Sequence, residues 1–307
     1  MTADTVTEPA PPAVSRTPPP PLRRRLARLR HSRVVRRLLT DRPALVALVL
    51  LALISLVAVF HSLLEPHDPL RQELSHINAG PGSEHLLGTD YLGRDVLSRL
   101  IEGTAPTLWT AVLGTLIGMI GIPLGLLGGY LRGVVDGVLG QVSDGLLSIP
   151  PLLFAFGIIG FMGRSSLNTA LAVGIVLIPR FYRVAQTAAR SVAEELYMEA
   201  ARASGCGPGR LLVRHVVPNA LGPLLVQTSQ AIGVVVSVQA GLSVLGLGTP
   251  PPTPTWGGML SDAFDNNADQ IFPMLPSAVL IVVLILCFFT LGDSIRDAYG
   301  RAERGKK

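Results

Sequence analysis

The chain has 307 residues, of which 49% are hydrophobic and only 15% charged, and its mean hydropathy is +0.47. So few charges could not clothe the surface of a water-soluble protein this size, and an ordinary soluble enzyme is excluded in favour of a membrane protein. The formal charge of +5 is accompanied by just 5% aromatic residues and is carried by arginines that flank apolar runs, which fits membrane orientation and argues against a nucleic-acid groove.

Residues 1–42 form the first unit. Prolines 9, 11, 12 and 18–21 predict a disordered start, and the stretch from Arg23 to Arg42 predicts either a helix on an anionic leaflet or a solvated tail. The apolar run Ala44–Phe60 follows without an A-x-A cleavage site and reads as an uncleaved first span. Residues 43–293 then form an all-α, polytopic unit, because a helical span needs roughly 17 to 25 mostly apolar residues. The predicted spans are 44–60, 108–130, 145–162, 166–184, 221–247 and 272–291, with a C-terminal tail over 294–307.

Between the first two spans lies H-L-L-G-T-D-Y-L-G-R-D-V-L-S-R-L-I, His85 to Ile101. Thr89 or Asp90 is expected to cap a helix with Leu92, Val96 and Leu100 in one stripe and Asp95 paired with Arg99 at i,i+4. Its aspartates lack the spacing of a calcium loop. In the second span Gly114, Gly118, Gly121, Gly125 and Gly129 recur at four- and three-residue steps, which predicts close helix crossing. The third span is placed after Asp144, since a carboxylate at mid-bilayer costs about 2.5–3.5 kcal/mol. Pro150-Pro151 removes backbone hydrogen bonds there. The fourth loses its clean apolar character at Pro179-Arg180, so Arg180 and Arg183 must snorkel or face protein.

The segment 189–219 is the one strongly polar stretch between long apolar runs. It contains E-A-A-x-x-x-G from Glu199 to Gly205 and H-V-V-P-N from His215 to Asn219. Ala193, Leu196, Ala200 and Ala203 recur at helical spacing opposite Glu195, Glu199 and Arg202, and Glu199 is in reach of Arg202 at i,i+3. Gly205 and the Gly207-Pro208-Gly209 cluster predict a hinge between two short helices, the second ended or redirected at Pro218. The low bulk of Ala200 and Ala201 would let a partner approach the backbone.

The fifth span carries Gln227, Thr228, Ser229, Gln230, Ser237 and Gln239. Amides in hydrocarbon face protein or water, so Gln227, Gln230 and Gln239 are candidates for a translocation path or for interhelical hydrogen bonds. Gly241–Gly248 and the proline-rich Thr249–Leu260 close it, as a stiff lid or a contact for an outside protein.

Several chemistries are missing. The only lysines are Lys306 and Lys307, so there is no G-x-x-x-x-G-K-[ST] nucleotide loop. There is no H-E-x-x-H or G-x-S-x-G, the six histidines look scattered, and Cys206 and Cys287 suggest neither a disulfide framework nor a metal site. Neither catalytic nor metal-binding residues are expected.

Together, E-A-A-x-x-x-G at Glu199, G-T-D-x-x-G-R-D at Gly88 and L-G-L-G-x-x-P-P at Leu245 resemble the C-type permease subunit of dipeptide and oligopeptide ABC importers, over about residues 40–295. That resemblance implies six spans in the type I importer permease fold, and a coupling role for Glu199, Ala200, Ala201, Gly205, His215 and Pro218. It also implies a second homologous permease, two ATP-binding subunits that use ATP and magnesium, and an extracytoplasmic binding protein as partners. In that family an acidic residue commonly stands where this chain has Gln239. Sister importers of nickel or other small solutes share these motifs and supply the alternative substrate. With the N-terminus inside, inner segments hold 22 of the 26 Lys and Arg and outer segments hold Arg71, Arg94, Arg99 and Arg164. A bacterial inner-membrane protein with both termini cytoplasmic is therefore expected.

Overall fold

The computed structural model describes residues 39–266 and 272–304. The predicted tail over 1–42 lies outside these residues except for 39–42. Apart from one antiparallel bridge between Thr89 and Asp95, the described residues contain no β-structure.

Helix α1, Arg42–Leu64, carries Pro43 in its first turn, where a missing N–H costs nothing. Its 23 residues reach about 34 Å, enough for a hydrocarbon layer of about 30 Å. Only Ala44 and Ala47 are buried in it, so α1 lies at the margin of the chain with most of its apolar surface uncovered. Three helices follow in one continuous apolar path: α2 Val96–Glu102, α3 Thr104–Gly118 and α4 Gly121–Leu131. The glycine ladder has a specific partner, α7 Ser166–Ala193. A methyl group at Gly121 or Gly125 would collide with the Ile178 or Tyr182 carbonyl, so the two backbones touch where only glycine fits.

The third span departs from expectation. Helix α5 Gly133–Leu147 and helix α6 Pro151–Met162 meet at Pro150 with an 89° bend. At 12 residues, α6 is about 18 Å long and cannot cross a bilayer by itself. The helical segment also starts well before Asp144. Both α5 carboxylates have basic partners on α7, Asp144 with Arg183 and Asp136 with Arg190, and Asp136 also accepts a hydrogen bond from the Gln186 amide. Pairing relieves the charge penalty on which the later start was based.

The fourth span runs through Pro179 and ends at Ala193, not near 184. Arg183 faces protein, bonding Gln186 Oε1 and the Gly140 carbonyl at 2.8 and 3.1 Å, while Arg180 is exposed. Helices α8 Leu196–Ala203 and α9 Pro208–Leu211 follow, and a π-turn over Leu212–Val216 leads into α10 Val217–Val244. Helix α11 Trp256–Asn266 and helix α12 Leu275–Arg304 complete the described residues. Helix α12 continues far into the predicted 294–307 tail. Five helical segments are long and apolar enough to span a membrane, or six if the bent α5–α6 pair counts as one.

Helix α7 is central and packs against α3, α4, α5, α6 and α10. The bundle has two chemically distinct ends. At one, Asp41 accepts from Ser294 at 2.6 Å, Gly222 packs on Tyr299, and Arg132 bonds Glu194 at 2.6 Å. At the other, Trp256 donates its indole N–H to the Leu100 carbonyl at 2.9 Å and Arg164 donates to the Gly246 carbonyl at 2.8 Å. The segment 65–95 lies at this second end, joining α1 to α2.

Candidate functional site

The Glu199 segment sits at the first end, between α7 and α10. Helix α8 stops because Gly205 takes φ +78°, a left-handed conformation. The Gly205 amide bonds the Arg202 carbonyl at 3.0 Å and the Cys206 amide bonds the Ala201 carbonyl at 3.1 Å, the two bonds of a glycine-terminated helix. Pro208 then opens α9. The hinge between two short helices is present as a structural feature.

The buried face of α8 differs from the expected one. Leu196 is 81% exposed, and Ala200 and Ala203 are also exposed. The anchor is Met198, fully buried in a cluster with Leu126 of α4, Ala185 and Ala189 of α7, Leu211 of α9, Val216, and Ala220 and Leu224 of α10. The expected Glu199–Arg202 pair is absent. Arg202 instead donates to the Ala193 carbonyl at 3.3 Å, and Glu199 projects from the surface. Ala201 and His215 are half-buried and Pro218 is exposed. The Tyr197 and His215 rings lie 6.1 Å apart, and Asn219 bonds both the Tyr197 hydroxyl at 3.2 Å and the His215 carbonyl at 2.7 Å.

Pro218 neither ends nor redirects the helix. The helical path runs from Pro208 to Val244. A proline inside such a path would press on the carbonyl four residues earlier, and the widened turn at Leu212–Val216 gives it room. Leu196, Tyr197 and Val213 leave an apolar patch around Glu199 that nothing among the described residues covers.

The glutamines of α10 fall into two groups. Gln227 and Gln239 are buried, and Gln227 Nε2 and Gln239 Oε1 meet no hydrogen-bond partner among the described residues. The interhelical bonds of the alternative reading are thus missing at those atoms. Gln230 is half-buried and packs on Gly292. Ser229, not singled out as a contact, donates to the Phe288 carbonyl at 2.7 Å and ties α10 to α12.

At the opposite end, the helix after the G-T-D string begins at Val96, and its cap is Asp95 rather than Thr89 or Asp90. Asp95 Oδ2 accepts from the Ser98 amide at 2.8 Å. Leu92 precedes that helix. Asp90 instead accepts from the Leu92 and Arg94 amides, both at 2.9 Å, and closes a turn. Arg99 does not pair with Asp95. It lies buried beside Arg94, between Asp90 at 3.4 Å and Asp262 of α11 at 3.5 Å. Burial pushes the Asp262 carboxyl above its ordinary value, against the pull of Arg99 and Arg94. Nothing in the spacing of the sequence links Asp262 to residues more than 160 positions earlier. The histidines that look scattered are also gathered here, with His67, His76 and His85 around Glu73 and Asp95.

Residues 121–302 match the family described as binding-protein-dependent transport system inner membrane component, and residues 31–81 match the N-terminal TM domain of oligopeptide transport permease C. The glutathione transport system permease protein GsiD of Pectobacterium atrosepticum is 35% identical, over 86% of this chain and 88% of the relative. The dipeptide transport system permease protein DppC of Alkalihalophilus pseudofirmus is 34% identical, over 83% and 84%. The di/tripeptide transport system permease protein DppC of Pseudomonas aeruginosa is also 34% identical, over 84% and 88%. In three dimensions the chain is similar to a chain of the MetNI methionine ABC transporter in an inward-facing conformation. The TM-score is 0.54 at 19% identity, covering 65% of this chain and 96% of that one.

Proposed function

Because the chain belongs to the binding-protein-dependent transport system inner membrane components, we propose that it imports di- or oligopeptides as one permease subunit of an ATP-driven complex, coupled to its ATPases through α8. The observation that carries the coupling role is the pairing of a bare outer face with a rooted inner one. Leu196, Glu199, Ala200 and Val213 are open to a partner, while Met198, on the same short helix, is locked among α4, α7 and α10. A push on the outer face therefore reaches three membrane helices through one side chain. Displacement of packed helices between two discrete arrangements is the way such cores switch, and ATP supplies the bias by binding the partner subunits differently in the two states.

The peptide substrate is supported by the names of the relatives and by the match at residues 31–81. ATP and magnesium act in the partner subunits, in line with the lack of a nucleotide loop in this chain. The Glu199 end is cytoplasmic. It holds Arg132, Arg190, Arg202, Arg210 and Arg214 and both ends of the described chain, which fits the positive-inside rule. A second permease covers part of the apolar surface left by α5 and α6, including Val134, Leu153 and Phe161. On this reading the binding protein docks at the Trp256 end.

The test is co-expression with the ATPase subunits and the partner permease, followed by affinity purification and peptide uptake into the cells. Wild type should retain the ATPases, and a chain lacking residues 193–215 should lose them. Retention of the ATPases by the deletion variant would overturn the coupling role.

A further inference from the structure

Six histidines occur in the chain; His61 stands in the last turn of α1, and His67, His76 and His85 lie in the segment 65–95, which carries almost no regular structure. Between α1 and α2 the chain is held by a three-residue 3-10 turn, Leu74–His76, the Thr89–Asp95 bridge and scattered turns. The fold nevertheless brings three histidines and two carboxylates from this segment into one group. Ligand atoms of Glu73, His76 and His85 all lie within 4.8 Å of one another, and so do those of His67, His85 and Asp95.

His85 belongs to both sets, and its two ring nitrogens decide between them. Its Nδ1 is 2.9 Å from Asp95 Oδ1, a hydrogen-bond distance. Asp95 is already committed as a cap, with Oδ2 accepting from the Ser98 amide at 2.8 Å and the Ser98 hydroxyl at 2.7 Å. With the proton on Nδ1, the lone pair is on Nε2, which faces Glu73 Oε2 at 4.0 Å. Glu73 Oε2 is in turn 3.2 Å from His76 Nδ1. Ligands about 2.0–2.2 Å from a tetrahedral zinc are about 3.3–3.6 Å apart, so one edge of the set already matches and another is within about 0.7 Å of it.

We propose that Glu73 Oε2, His76 Nδ1 and His85 Nε2 bind one zinc-class divalent ion, with Asp95 as the carboxylate that orients His85. A metal-bound histidine that donates its other N–H to a carboxylate is the usual arrangement, because it fixes both tautomer and ring orientation. Nitrogen and oxygen donors of this kind suit zinc rather than calcium or magnesium. Glu73 and His76 are partly exposed and His85 is buried, so the ion enters from solvent onto a fixed floor. The site ties the 3-10 turn to the cap of α2 and closes the irregular segment 65–95 at the bundle end opposite α8. His67 lies against His85 with ring centroids 5.0 Å apart and the rings tilted by 45°, and it stands outside the ligand set.

The test uses the full chain without a histidine tag, purified with its partner subunits in lipid nanodiscs and stripped with chelator. Zinc alone is titrated by calorimetry, and cobalt(II) alone is followed by its visible absorption. One zinc per chain is expected, with the intense visible bands of four-coordinate cobalt. Glu73→Gln and His76→Ala should each abolish stoichiometric binding, and His67→Ala should retain it. Asp95→Asn should weaken binding about 10- to 100-fold. His76 is half-exposed, so its variant remains informative even if His85→Ala fails to fold. Zinc uptake equal in wild type and His76→Ala, or lost in His67→Ala but kept in His76→Ala, overturns the assignment.

Discussion

The Cys206 amide bonds the Ala201 carbonyl at 3.1 Å, across a Gly205 whose φ is +78°. A Cβ at Gly205 would meet nothing within 4 Å, so the restriction is conformational, not steric. Asparagine tolerates the left-handed region and β-branched residues do not, at a cost of about 1–2 kcal/mol for an ordinary side chain. Gly205→Asn should keep peptide uptake near wild type. Gly205→Val and Gly205→Pro should abolish uptake while the protein still inserts, as measured by membrane fractionation and uptake in the same cells.

Glu199 is exposed and forms no pair with Arg202. Reversing its charge removes nothing from the fold, so Glu199→Lys should leave the melting temperature of the isolated subunit within a degree or two. Retention of the ATPases on purification should fall at least 10-fold, because a like or unpaired charge at a docking contact is strongly penalised. A stability loss as large as the docking loss would assign Glu199 to the fold instead.

Met198 is the opposite case, fully buried on an eight-residue helix. Met198→Ala should cost about 2–5 kcal/mol by opening a cavity, and Met198→Leu less than about 1.5 kcal/mol because volume is kept. In detergent the alanine variant should melt lower and lose coupling, measured as peptide-stimulated ATPase activity of the assembled complex. The leucine variant should keep both.

Gln239 is buried, and its Oε1 meets no hydrogen-bond partner among the described residues. An apolar side chain there relieves an unmet polar group, a gain of about 1–3 kcal/mol if shape is preserved. Gln239→Leu should therefore raise the melting temperature and at the same time slow uptake, the signature of an amide kept for the path at the expense of stability. Faster melting with normal uptake would place its role in helix packing.

How much of this was legible depended on whether a local rule carried the information. Apolar run length announced α1, and the four-residue glycine steps announced the close contact that α4 makes with α7. Gly205 and Pro208 announced the hinge. Side-chain partners were hidden because they are distant in sequence. Helical spacing offered Asp95 for Arg99, but three-dimensional packing gave Arg99 to Asp262 and Asp95 to His85. Likewise, Leu196 and Ala200 fit an apolar stripe by spacing, yet Met198 is the buried residue, since which face of an eight-residue helix turns inward is set by α4, α7 and α10. The bend at Pro150 was visible as a proline pair but not as an 89° turn, because a proline removes a hydrogen bond without specifying what the freed chain packs against.

Asp262 gives the pH dependence of the other end. Burial raises its carboxyl above the ordinary value of 3.8, while Arg99 and Arg94 oppose the shift without cancelling it. The folded state therefore holds this proton more tightly than the unfolded chain does. The resulting stability is fully present below pH 3.8 and is lost as pH rises through the folded value. Asp262→Asn carries a permanently neutral side chain of the same shape and has no such loss. The melting temperature of wild type relative to Asp262→Asn should therefore fall as pH is raised from about 4, then level off once the native carboxyl has ionised. A wild-type advantage that grows with pH over that window would mean that the two arginines dominate burial and that the carboxylate form is the one the fold selects.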